Sequence, residues 1–247
     1  MGGCIMALGF GTNIVTDGLI FNIDAANKRS YIGSGSSWKD LYQKNIITLA
    51  NSPTFNSDNG GSLVFNGSNQ YGYLATPKLH SGTANRTIIA WVKPDSTGPS
   101  NTYTGIISYG TRNFTYTPSR YCLLSLNTGG ATYYVSSAFW GNDYVPNQTI
   151  VNKNEWNMIG MIGRSAATTN NVTLFSLNGS TKMFTTGNSS TYYKGLNTVM
   201  ENLGVAITDY PGRYYKGNIG SIMIYNRELS QSEIAEIFYS TKNRFEV

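Results

Sequence analysis

Holding a sugar takes an aromatic ring against its apolar face and a carboxylate or amide for its hydroxyls. The densest cluster of that kind lies in "SAFWGNDYVPNQ", residues 137–148, where Trp140, Asn142, Asp143 and Tyr144 share one loop bounded by Gly and Pro. These four are the candidate glycan ligands. The alternative for the same stretch is an ordinary loop whose Trp140 closes the core. Tyr192–Tyr193 and Tyr214–Tyr215 are weaker candidates, because the chain has 18 tyrosines and pairs of them carry little information.

Metal chemistry would need charge. In "FNGSNQY", residues 65–71, Asn66, Asn69 and Gln70 bring three amide oxygens to one short polar segment. Calcium is held by several hard oxygens and gains most from carboxylates, and the nearest acid in sequence is Asp58. The segment therefore reads as a turn packed by Tyr71 and Tyr73, with no metal and no calcium requirement. Catalysis finds as little. A retaining glycosidase places two carboxyls about 5 Å apart, most simply at alternate positions of one strand. None of the 13 acids falls as E-x-D in a strand-like run, and Glu228, Glu233 and Glu236 gather instead on a terminal helix and its approach. The single histidine, His80, sits in "KLHSGT" without a nucleophile beside it. Cys–His pairs, metal-ligand spacings and phosphate cradles are missing as well. The sequence implies no enzyme, no catalytic residue and no cofactor.

The elements that must position any site are strands. Charged residues make up 13% of the 247, well below the usual quarter, and Asn, Gly, Ser, Thr and Tyr take their place. Eleven short apolar runs, from "GLIFNID" at residue 18 to "GNIGSIMIYN" at residue 217, are separated by turn residues. That spacing predicts a two-sheet β-sandwich. Runs such as Ile88–Val92 are apolar on both sides, so they should be central strands, with one face in the core and the other under loops or a partner. No repeat or long linker divides the chain, so residues 17–229 read as one sandwich. At the end, Ser230 and Glu233 form a capping box, and Ile234, Ile237 and Phe238 share one face. Residues 230–247 are thus a short helix docked on the sandwich.

The opening stretch, residues 1–16, is too short for a core of its own. Its isolated apolar residues Ile5, Met6, Leu8 and Phe10 are expected to dock into a partner, with other copies of the chain among the candidates. No run approaches a membrane span, and the start lacks the basic and apolar regions of a signal peptide. Cys4 and Cys122 make no disulfide framework. The net charge of +5 is scattered, which argues against nucleic-acid binding.

Several stretches resemble one family in order along the chain. They are "GLIFNIDAANKRSYIGSGSSWKDL", "PTFNSDNGGSLVFNGSNQYGYL", "IIAWVKP", "EWNMIGMI", "VTLFSLNG" and "YKGNIGSIMIYNRELSQSEIAEIF". Together they resemble the laminin-G-like, concanavalin A-like jelly rolls. That resemblance implies an all-β jelly-roll sandwich of two antiparallel sheets with one C-terminal helix. Related sequences often carry acids in a pattern like F-D-G-x-x-D-Y, and some bind calcium there; the positions here are Asn66 and Gln70. The opening "NIVTDGLIFNIDAANKRSY" most resembles structural proteins of tailed phages. It implies a non-enzymatic virion protein, a capsid decoration or tail-associated module, made in the host cytoplasm and partnered by other virion proteins. The alternative is a carbohydrate-binding adhesin that recognises a glycan of the host surface.

Overall fold

A computed structural model of the protein describes residues 14–79, 82, 84–97, 103–110, 121–129, 132–138, 150–163, 173–184, 202–208 and 212–247. Its strands fall into two sheets, all of whose pairings are antiparallel. Sheet A takes β1 (Leu19–Asp24), β4 (Thr54–Asn56), β5 (Ser62–Asn66), β7 (Arg86–Pro94), β12 (Asn157–Gly163), β13 (Thr173–Leu177), β14 (Ser180–Phe184) and β16 (Lys216–Tyr225). Its order is β14-β13-β12-β7-β16-β5-β4, and β1 also pairs with β16, beyond the end of β5. Sheet B takes β2 (Ser37–Lys39), β3 (Ile46–Ala50), β6 (Tyr71–Leu74), β8 (Tyr103–Gly110), β9 (Tyr121–Gly129), β10 (Thr132–Ala138), β11 (Ile150–Val151) and β15 (Asn202–Val205). Its order is β11-β10-β9-β8-β15-β6-β3-β2. All eleven apolar runs are strands. The five that the pattern missed (β2, β3, β4, β6 and β11) are two to five residues long.

The sheets face each other across a core in which alternate residues of each strand meet, among them Ile88, Ala90 and Val92 from β7 and Ile222 and Ile224 from β16. The opposite face of β7 is equally buried. Ile89 and Trp91 pack there with Met223 and Tyr225 of β16 and Met158 and Ile162 of β12. What covers them is chiefly α1 (Gln231–Phe245), through Ile234, Ile237, Phe238 and Phe245, with Leu229 from the loop before it. A strand roofed on both sides has no polar face, which is why "TIIAWV" does not alternate. The helix starts as its capping box requires. Ser230 Oγ accepts from the Glu233 amide at 3.2 Å, and Glu233 Oε2 accepts from the Ser230 amide at 2.7 Å. No helix among the described residues is long and apolar enough to cross a membrane.

Two expectations change. Ile14 and Val15 pack against the cluster beneath α1, and the Tyr225 hydroxyl donates to the Val15 carbonyl at 2.9 Å. The inner end of the supposed arm 1–16 therefore belongs to the folded body. Ile5, Met6, Leu8 and Phe10 lie outside the described residues. Second, the polar segment after β5 does not join two paired strands: β5 belongs to sheet A and β6 to sheet B. It carries the chain across the sandwich. Asn66 Oδ1 accepts from the amides of Ser68, Asn69 and Gln70 at 2.9, 3.2 and 3.3 Å. Asn69 Oδ1 accepts from Asn66 Nδ2, and Gln70 Oε1 from the Asn66 amide. Gln70 Nε2 then reaches the carbonyls of Asn51 and Ser52. All three amide oxygens are spent on shaping the turn.

Candidate functional site

The outward face of sheet B carries the most promising arrangement of side chains. Leu203 and Val205 of β15 point into the core, so Asn202 and Gly204 point out. Gly204 pairs with Ser108 on one side and Tyr73 on the other, and Asn202 pairs with Gly110. A floor of Gly204, Ser108 and Gly110 thus runs across two strands, with Tyr71 and Tyr73 rising at its edge. The chain after β15 turns sharply at Ala206 (φ +59°) and lies back over this floor. A Cβ on Gly204 would come within 2.7 Å of the Ile207 side chain, and one on Gly105 within 2.3 Å of the Ile207 carbonyl oxygen. Only glycine permits that approach. Ser108 Oγ secures the crossing by donating to the Ile207 carbonyl at 3.1 Å.

The result is a recess of about 20 Å³ beneath a rim of tyrosines. That volume holds about one water, so a sugar would lie across the rim and lower a single hydroxyl into the recess. Tyr73 is 39% exposed, and the ring of Tyr71 lies 6.0 Å from that of Tyr214. Asn202 is half-buried, and its carboxamide makes no hydrogen bond among the described residues, leaving a donor and an acceptor open beside the rings.

Trp140, Asn142, Asp143 and Tyr144 lie outside the described residues, between β10 and β11 in sequence. Tyr192, Tyr193 and His80 lie outside them too. Of the weaker pair, Tyr214 stands at the rim, whereas Tyr215 is buried, donates to the Asn218 carbonyl, and has its hydroxyl pKa pushed well up by that burial. Tyr73, expected as packing, is the more exposed of the two rim tyrosines of β6. Asn202, Ser108 and Gly204 escaped notice because they belong to no local motif. They meet only because β15 inserts between β8 and β6.

Two of the described carboxylates do structural work. The Thr97 hydroxyl holds the Asp95 carboxyl below its ordinary range, with Lys216 adding to the effect from 3.3 Å. Arg227, at 2.6 Å, pulls Glu233 down to about 2, against burial and with help from Ser230. A general acid needs the opposite shift. Among the described residues no three His, Cys, Asp or Glu side chains converge as a metal site would require.

No curated protein sequence matches the chain. Solved structures do. Domain 4 of AbnA, an extracellular GH43 arabinanase of Geobacillus stearothermophilus solved with arabinotriose, superposes with a TM-score of 0.63 at 15% identity, over 89% of this chain and 97% of that one. The Trypanosoma rangeli sialidase bound to sialic acid gives 0.63 at 15%, over 94% of this chain but only 34% of the sialidase. The receptor-binding domain of botulinum neurotoxin type G gives 0.58 at 16%, over 90% and 51%. These likenesses establish a shared lectin-like jelly-roll fold. In sequence, the family described as the concanavalin A-like lectin/glucanases superfamily matches residues 66–235. With more than half of its length matched, the chain belongs to that superfamily.

Proposed function

We propose that the protein is a non-catalytic carbohydrate-recognition module that holds its ligand on the outward face of sheet B. The observation that carries this reading is the open Asn202 carboxamide beside the tyrosine rim, over a floor of Gly204, Gly110 and Ser108. The arabinotriose bound in the AbnA structure supports it as an analogy of fold. The test is a titration with arabinotriose and with sialyllactose, following intrinsic tyrosine and tryptophan fluorescence. Tyr73→Ala with Asn202→Ala should weaken binding at least about tenfold, the worth of a lost aromatic contact and a hydrogen bond. A double variant that binds as well as the native protein would refute the site. Binding needs no calcium on this reading, because the amide oxygens of Asn66, Asn69 and Gln70 are committed to the turn. Melting curves with millimolar calcium and with chelator should coincide.

The finer reading places this module in a tailed-phage particle, assembled in the host cytoplasm with other virion proteins. Its support is the opening "NIVTDGLIFNIDAANKRSY". Recognition of a host glycan and a place in the particle are compatible roles. Deleting residues 1–13, upstream of the docked Ile14, should leave the sandwich folded and abolish incorporation into particles. A truncated protein incorporated at full occupancy would remove the docking role.

A further inference from the structure

A second hollow lies on the opposite side of the molecule, on the outward face of sheet A under the last turns of α1, with a volume of about 270 Å³. Its floor comes from two paired strands. Asp24 of β1 pairs with Ser221 of β16, and Asn22 with Met223. Phe21, Ile23 and Ile222 face the core, so Asn22, Asp24 and Ser221 face outward, where their neighbours along the sheet are Ile89 and Trp91. Thr241 and Arg244 of α1 form one wall, and Leu41 and Ile14 close the apolar sides.

The polar groups divide into those that are committed and those that are open. Arg244 Nη1 donates to both carboxylate oxygens of Asp24, at 2.8 and 2.9 Å. Its Nε and Nη2 donate to the carbonyls of Asn59 and Gly61 at 2.9 and 2.8 Å. The two charges cancel, and the guanidinium is fixed. Thr241 Oγ1 accepts from Trp91 Nε1 and donates to the Ile237 carbonyl. Ser221 differs. It is only 6% exposed, its hydroxyl has no hydrogen-bond partner among the described residues, and it lines the hollow. The Asn22 carboxamide is open as well, since only its backbone is engaged, by Asp40 and Leu41. Both groups open onto the hollow, where a ligand hydroxyl can take the place of the water they would otherwise bind.

We propose that this hollow is a second binding site, independent of the sheet B face, for a small neutral polyhydroxylated molecule of monosaccharide size. Its chemistry follows from the lining. An anion would find Arg244 already compensated, and an apolar molecule would strand Ser221 and Asn22. A ligand with several hydroxyls satisfies both and lays its carbon framework on Leu41 and Met223. At about 30 Å³ per water, the space equals roughly nine waters, enough for one sugar ring.

The test is an NMR titration of the full chain, labelled with nitrogen-15, against glucose, galactose, mannose, arabinose and glycerol, each alone at millimolar concentration. At least one should shift the Asn22 side-chain amide and the backbone amides of Ser221 and Thr241 in a saturable manner. Asn22→Leu should weaken that response about tenfold, the equivalent of one or two hydrogen bonds to the ligand. Ser221→Ala, which removes only the hydroxyl, provides the same comparison if the leucine disturbs folding. Tyr73→Ala should leave the response unchanged, which separates this site from the one on sheet B. Silence of these amides toward all five probes overturns the proposal, and so does a response that survives both substitutions.

Discussion

Beneath α1, the outward face of sheet A divides into two halves that share a helix and a strand and behave differently. In one half the rings of Trp91 and Phe245 stack with centroids 4.2 Å apart, Phe238 stacks on Trp91 at 5.9 Å, and Trp156 tilts against Phe245 at 4.7 Å. Each indole N–H there finds a partner. Trp91 donates to Thr241 Oγ1 and Trp156 to Asn59 Oδ1, both at 3.0 Å. In the other half Asn22 and Ser221 replace apolar residues, and the space above them stays open. A face this apolar could have been sealed from end to end. Instead, polar groups face an open space under half of it, where a ligand can supply their hydrogen bonds.

The comparison breaks first on the dry half. Trp91→Ala should cost about 3–5 kcal/mol in urea denaturation, because it removes the ring at the centre of the stack and leaves a cavity. A loss below about 1 kcal/mol would mean that the helix rests loosely on the sheet. Ser230→Ala should cost about 1 kcal/mol through the cap alone, since Glu233 keeps Arg227. Acid titration probes the same helix start. Glu233 is held down at about 2 against an ordinary 4.5, so its stabilising pair is complete above about pH 4.5 and is lost as the pH falls toward 2. Glu233→Gln should therefore flatten the fall in melting temperature over that range, and an unchanged acid limb would show that the pair is inert. The smallest effect belongs to the hollow half. Ser221→Ala should change stability by less than about 0.5 kcal/mol, because no hydrogen bond is lost. A cost above about 1 kcal/mol would reveal a partner for that hydroxyl within the protein.

The sequence carried the two halves unequally, and the same holds for the sites. The dry half was legible: the doubly apolar run of β7, the capping box, and the spacing of Ile234, Ile237 and Phe238 all announce a covered sheet and its cover. The hollow half was not. Asn22 and Asp24 look like the polar positions of an ordinary one-sided strand, and nothing local says that a helix from residue 231 onward will roof them. The sheet B site was hidden for a related reason. Gly72 and Gly204 blunt the alternation of β6 and β15, and Tyr73, Ser108 and Asn202 come from three strands far apart in the chain. Strands such as Ser37–Lys39 bury one residue in three, too short a pattern to recognise. The turn at Asn66 was recognised as a turn but not as a crossing, because its hydrogen bonds to Asn51 and Ser52 depend on where the sheets lie.

One feature of sheet A bears on how the molecule is made. Among the described strands, β16 alone joins the β7-β12-β13-β14 ladder to the β5-β4 pair and to β1. Until residues 216–225 leave the ribosome, that sheet exists as three unconnected fragments, and β7 waits with an open edge and two greasy sides. Chain closure on this scale is slow, and an exposed strand edge invites other nascent chains. The protein should therefore refold in milliseconds to seconds or slower and depend on chaperones at high expression, with β16 as the keystone whose arrival ends the vulnerable interval.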